Sequence, residues 1–249
     1  MFEKEIKHNK KIYISMYNSN GDFVPSAYQR MIMSMIEEHL DLLNIGEKEL
    51  MEVHGISWVL LSSAIEFKRS LRPTDELSAY TWHAGGRIPS FRRDFIFVDR
   101  EGETVAVGAT ISTLFDNAMR KLCLDRSKLG VVNLEPQETV LEKIYRKIDV
   151  MTNEVFVEKR KVRPSMTDGV GHVNNIKYAD FVYDAMTREE IAMLDDLLRM
   201  DIWFNYELRE GDEFDLFKYK PDENTICFSG IKCGEKKSSF DLRLKFRKN

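Results

Sequence analysis

The chain has 249 residues, of which 43% are hydrophobic and 11% aromatic, and a formal net charge of −4. That is apolar material for one large or two modest cores, which excludes a disordered chain, and the acidic balance excludes a broad nucleic-acid-binding surface. No apolar run approaches the ~18 residues that span a bilayer, so no membrane segment is expected.

The start, MFEKEIKHNKK, has charge but no apolar stretch behind it, so no secretory signal is expected and the default compartment is cytoplasmic. A first strand is expected at Lys10–Tyr17. Pro25-Ser26 then opens a helix that carries Ile32, Ile36, Leu40 and Leu43 at helical spacing and stops before Gly46. Strands follow at Trp58–Ile65, Leu77–Trp82, Phe91–Val98 and Thr104–Leu114. Arg-Pro-Thr-Asp (72–75), Gly85-Gly86 and Glu-Gly-Glu (101–103) separate them. Leu134–Ile148 reads as a charged connector with helical character. A strand at Glu154–Val162 leads to a second helical pattern, which opens at His172 and carries Ile176, Phe181, Val182 and Met186. Arg188–Met200 continues it or forms a short extra helix. Four strands close the chain at Ile202–Leu208, Glu213–Tyr219, Thr225–Cys233 and Phe240–Phe246.

The order strand, long helix, four strands therefore occurs twice. Sliding the halves by 150 positions places Gly21 on Gly171, Asp22 on His172 and Tyr28 on Tyr178. A long helix followed by an antiparallel meander packs most economically when the sheet curls around the helix and buries its apolar stripe. The expected fold is α+β: a tandem (double) hotdog, two long central helices each wrapped by a curved antiparallel β-sheet. The expected units are an N-terminal domain (1–130), a connector (131–150) and a C-terminal domain (151–249). Such units pair edge to edge, with ligand sites between the helices, so one half is free to keep the chemistry while the other holds the substrate.

The stretch Gly171-His172-Val173-Asn174-Asn175-Ile176-Lys177-Tyr178 resembles the active-site signature of acyl-acyl carrier protein (acyl-ACP) thioesterases, bacterial type. In that family an Asp-x-Asn-x-His-Val-Asn-Asn-x-x-Tyr segment leads into the second central helix. Ser57-Trp58-Val59-Leu60-Leu61, Phe91-Arg92-Arg93-Asp94-Phe95 and Thr110–Asp116 look like the family's first domain. Asn205–Asp212 looks like its strand carrying a catalytic Glu or Cys. Here Asp168 and His172 hold, while Val170 stands where the family has asparagine and offers no hydrogen bond.

The resemblance implies hydrolysis of a fatty acyl chain from the phosphopantetheine arm of acyl carrier protein, in fatty acid biosynthesis, without a cofactor. His172 suits proton transfer near neutral pH. Asp168 either orients the imidazole or caps a turn, and backbone N–H groups at the helix start near Asn174 are candidate oxyanion donors. Glu207 is the candidate base, with a covalent acyl-Glu207 as the rival route. The catalytic candidates are thus His172, Glu207, Asp168 and Asn174, and the substrate-binding candidates are Asn175, Tyr178, Val170 and Trp58. His8, His39, His54 and His83 lack metal-ligand spacing, and Cys123, Cys227 and Cys233 form no Cys-x-x-Cys pair, so no metal is expected. Met31, Met33 and Met35 either line an acyl tunnel or pack the core. Carrier protein is acidic, so the docking surface should be locally basic, and Lys159, Arg160, Lys161 and Arg163 or Arg92-Arg93 are candidates. A monomer or homodimer is expected. An acyl-CoA thioesterase, a dehydratase on the same scaffold and a non-catalytic acyl-binding protein remain open.

Overall fold

The computed structural model describes residues 6–87, 89–129, 135–144 and 153–248. The strands are β1 (His8–Lys10), β2 (Ile56–Phe67), β3 (Leu77–His83), β4 (Ser90–Val98), β5 (Thr104–Asp116), β6 (Lys121–Leu122), β7 (Val155–Lys161), β8 (Leu197–Phe204), β9 (Glu213–Asp222), β10 (Thr225–Lys232) and β11 (Ser238–Phe246). The helices are α1 (Pro25–Leu42), α2 (Glu47–Glu49), α3 (Lys177–Asp184) and α4 (Arg188–Ile191).

All eleven strands form one antiparallel sheet in the order β1-β3-β4-β5-β2-β8-β11-β10-β9-β7, with β6 hanging on β5. Read outward from the β2–β8 seam, the two halves have the same order: β2-β5-β4-β3-β1 and β8-β11-β10-β9-β7. The seam pairs Ser62–Glu66 with Arg199–Trp203. At its centre buried Asp201 accepts Arg199 at 2.8 Å and Arg243 at 2.7 Å. Helices α1 and α3 touch each other and share one large apolar core with both halves of the sheet. No helix among the described residues is long and apolar enough to cross a membrane.

Helix α1 is as long as its pattern predicts, 18 residues. Pro25 opens it with a φ already suited to a helix, and Ala27, Tyr28, Met31, Ile32, Met35 and Ile36 are buried along it. It ends in a Schellman motif. Asn44 takes φ +58°, its N–H donates to Asp41 O and that of Ile45 to Leu40 O, both at 3.0 Å.

The second helix differs from expectation: α3 has only 8 residues and starts at Lys177 rather than His172. Asn174 holds the start back, because its Oδ1 accepts the Ile176 N–H at 2.9 Å. Thr187 and Glu190 then form a capping box that starts α4 afresh. The Arg188–Met200 stretch splits, since Leu197–Met200 pairs in β8 against Leu244–Phe246. The first strand lies elsewhere than expected: His8–Lys10 pairs with β3, so of Lys10–Tyr17 only Lys10 is in it, and Ile14–Met16 is a 3-10 turn. In the connector, Leu134 and Tyr145–Ile148 lie outside the described residues, and Glu135–Ile144 is irregular rather than helical. Its backbone is satisfied by side chains from the sheet: Trp82 Nε1 donates to Glu138 O, Val140 N–H donates to Asp94, and Arg199 donates to Lys143 O. Leu141 packs it onto Ala64, Val107 and Ala109.

Candidate active site

The two halves repeat one loop, hydrogen bond for hydrogen bond. In the second half Asp168 Oδ1 accepts the N–H groups of Val170 at 3.0 Å and His172 at 3.3 Å. The Asp168 N–H donates to His172 O, and Gly171 takes φ +80°. In the first half Asn18 Oδ1 accepts Asn20 and Asp22 N–H at 2.9 Å, the Asn18 N–H donates to Asp22 O, and Gly21 takes φ +86°. Both are Asx turns, and both glycines occupy the left-handed region that a Cβ disfavours. The Asp168 carboxylate therefore serves the backbone of the loop.

The loop delivers His172 to a second segment. Val173 N–H donates to Leu208 O at 2.8 Å, and His172 and Arg209 form a β-bridge. Across this junction His172 Nε2 lies 2.9 Å from Glu207 Oε2. Arg209 places Nε at 3.1 Å and Nη2 at 2.7 Å from Glu207 Oε1. Arg120, from the first half, reaches the same oxygen at 3.5 Å. Glu207 was expected on a strand; it lies in the β8–β9 loop, because β8 ends at Phe204. Arg209 and Arg120 were missed. Arg209 carries a signal, since residues two apart in an extended segment share a face, whereas Arg120 is 87 positions from Glu207 and carries none.

Beside the loop is a cavity of about 530 Å³. Helix α1 supplies Met33, Ile36, Glu37, Leu40 and Asp41, and the first half of the sheet supplies Trp58, Leu60, Phe91 and Thr110. Asp168, Gly169, Val170 and Asn175 close it from the second half; His172, which the same loop carries, and Glu207 are not part of the lining. Val170 is half exposed, where an asparagine would present an amide. Trp58 Nε1 donates to Ile45 O at 2.9 Å, and its ring meets Phe91 edge-on. Burial pushes the Glu37 carboxyl upward, and neighbouring Asp41, Glu38 and Glu47 add to the shift. Of the three methionines only Met33 lines the cavity, while Met31 and Met35 are core.

Asn174 and Tyr178 are elsewhere. The Asn174 side chain accepts the Ile176 N–H in the turn before α3, and the Asn174 N–H donates to Met166 O at 2.9 Å. With Val173, Ile176 and Lys177 N–H also taken, the Asn175 N–H is left without a partner at this turn among the described residues. Tyr178 is buried against Phe181, Phe204 and Phe240, which drives its phenol pKa upward. Most of the expected basic patch is engaged: Arg92 with buried Asp94, Arg160 with Glu158 and Asp184, Lys159 with Asp215. Among the described residues no group of three His, Cys, Asp or Glu side chains could hold a metal.

Fold and site together place the chain among thioester hydrolases built on a helix-packed antiparallel sheet. The acyl-ACP thioesterase N-terminal domain matches residues 4–124 and the acyl-ACP thioesterase C-terminal domain residues 150–248. The chain belongs to the acyl-ACP thioesterase family. Among solved structures it is similar to an acyl-ACP thioesterase from Bacteroides thetaiotaomicron, at 20% identity and TM-score 0.85 over 97% of each chain. It is also similar to the 12:0-ACP thioesterase from Umbellularia californica, at 15% identity and TM-score 0.82 over 97% of this chain and 96% of that one. No curated protein sequence matches it.

Proposed function

We propose that the chain hydrolyses fatty acyl-acyl carrier protein to free fatty acid and holo-carrier protein, in the cytoplasm, by water attack with Glu207 and His172. The first unit, 1–130, holds the acyl chain in the cavity along α1, and the second, 151–249, supplies the chemistry; we read the two as hotdog units. The observation that carries the reading is the 2.9 Å approach of His172 Nε2 to Glu207 Oε2, from segments 35 positions apart, with His172 carried by the loop that closes the cavity.

His172 Nε2 stands 2.9 Å from Glu207 Oε2 and 3.2 Å from Arg209 Nη2, and in the tautomer that carries its hydrogen on Nε2 the ring faces Oε2. Arg209 Nε and Nη2 both donate to Oε1, which leaves Oε2, the oxygen facing His172, as the one that works. In the reaction, Oε2 takes a proton from water as the water oxygen bonds to the thioester carbon. The Asn175 N–H, at the cavity wall, is the candidate donor to the developing oxyanion. When the C–S bond breaks, the sulfur takes the Nε2 proton and His172 recovers one from Glu207, so the products are a carboxylic acid and a thiol.

The test is thiol release from carrier-linked acyl chains. His172→Ala is expected to cut turnover by roughly 10²–10⁴, the usual contribution of a positioned proton donor. Wild-type turnover by that variant overturns the assignment.

A further inference from the structure

Next to the His172–Glu207 pair the first half leaves an uncovered hairpin. Asn117–Leu122, the turn from β5 into β6, is exposed throughout. Met119 (62%), Leu122 (46%) and, just beyond, Leu124 (62%) turn large apolar side chains to solvent. Arg120 takes φ +52°, a left-handed conformation uncommon for any residue but glycine, and such strain clusters where function uses it. The turn is held by Met119 N–H donating to Asp116 Oδ1 at 2.9 Å and by pairing of Leu122 with Phe115. It carries the Arg120 guanidinium to 3.5 Å from Glu207.

On the other side of Glu207 stand exposed Tyr206, Arg209 and Lys237, whose Nζ lies 6.0 Å from the Tyr206 ring centroid. The catalytic pair is thus rimmed by four cations, Arg120, Lys121, Arg209 and Lys237, on a chain whose net charge is −4. Of the neighbouring acids Asp116 is held by Met119 N–H and Lys128 and Asp125 by Ser127, while Glu210, next to Arg209, and Glu235, two residues before Lys237, are exposed. Lys121 has no ion pair among the described residues. Exposed apolar side chains among several cations are the make-up of a protein-docking surface, steered by a partner of opposite charge.

We propose that the β5–β6 hairpin, with Tyr206 and Lys237, is the docking surface for the acidic carrier protein, an inference that rests on the proposed function. A thioester on a small handle needs only the cavity. Cations and apolar side chains outside it answer a macromolecular donor, whose flexible arm must start within reach of Glu207.

The variants Lys121→Glu, Met119→Glu and Leu124→Asp, singly and together, leave the residues of the reaction untouched. With acyl-carrier protein the combined variant is expected to raise KM at least about ten-fold, or 1.4 kcal/mol, and to flatten the salt dependence. With acyl-CoA of the same chain length, kcat and KM should stay within about two-fold. Anisotropy of labelled holo-carrier protein gives the same comparison without turnover. Equal losses on both donors, or unchanged carrier binding, overturn the proposal. So does a change from dimer to monomer on sedimentation, which would assign the surface to a second copy. If the wild type binds carrier through this hairpin yet releases no thiol, the hydrolysis fails and the docking surface stands.

Discussion

Two side chains 150 positions apart, Asn18 and Asp168, shape the same five-residue turn through the same pair of backbone N–H groups. The first half does this with an uncharged amide, so charge is dispensable to the turn. Asp168→Asn should therefore keep the loop, and acyl-thioester turnover should stay within about three-fold of wild type. A fall of 10² or more, with unchanged stability, would instead give the carboxylate a part in the proton chemistry. At this scale the sequence was most informative about the loop. His172, Asn175 and Val170 were picked out by the resemblance of one contiguous segment, which is legible because a turn and a helix start are local. Glu207 was found by resemblance, and the clamp around it was not, because Arg120 approaches from the other half through tertiary folding alone.

Among the elements, long periodic segments were legible and short ones were not. Helix α1 and strands β2 to β5 follow their patterns, whereas α3 is cut short by two local hydrogen-bonding side chains, Asn174 and Thr187. Strand β1 depends on side chains more than on its three residues of pairing. His8 Nε2 meets His39 Nδ1 of α1 at 3.1 Å, and Lys10 donates to Glu38 at 2.7 Å. Burial first, then the Arg93 guanidinium and His8, hold the His39 pKa down to about 3, and burial also lowers His8. Since both rings bind a proton less readily folded than unfolded, where they protonate near 6.5, the unfolded chain binds more protons below that pH. Their contribution is complete above pH 6.5 and is lost as pH falls toward 3. The urea midpoint should drop between pH 6.5 and 4, and His39→Leu should drop less over that window. Parallel pH curves for the two proteins would contradict this origin.

As a whole molecule the chain is a duplicated unit joined along one strand pair. The repeated element order was visible in the sequence, but the strand order within each half and the β2–β8 seam were not, because strand pairing is set by contacts between distant segments. The seam concentrates charge: Asp201, 1% exposed, serves both Arg199 and Arg243. Asp201→Ala removes the buried carboxylate that Arg199 and Arg243 share, although Arg199 keeps Glu66 at 3.7 Å, and should cost about 3–5 kcal/mol in urea unfolding; a loss below about 1 kcal/mol would show the seam to be held by the sheet alone. The two halves have diverged at this loop: Asp22 stands at the first half's counterpart of His172, while the first half lines the cavity along α1. The central claim is that His172 and Glu207 act as one unit on a thioester. A double-mutant cycle on kcat/KM for acyl-carrier protein measures this directly, with His172→Ala, Glu207→Ala and the double variant. The account predicts that the double variant is no slower than the slower single one, and losses that multiply would contradict it.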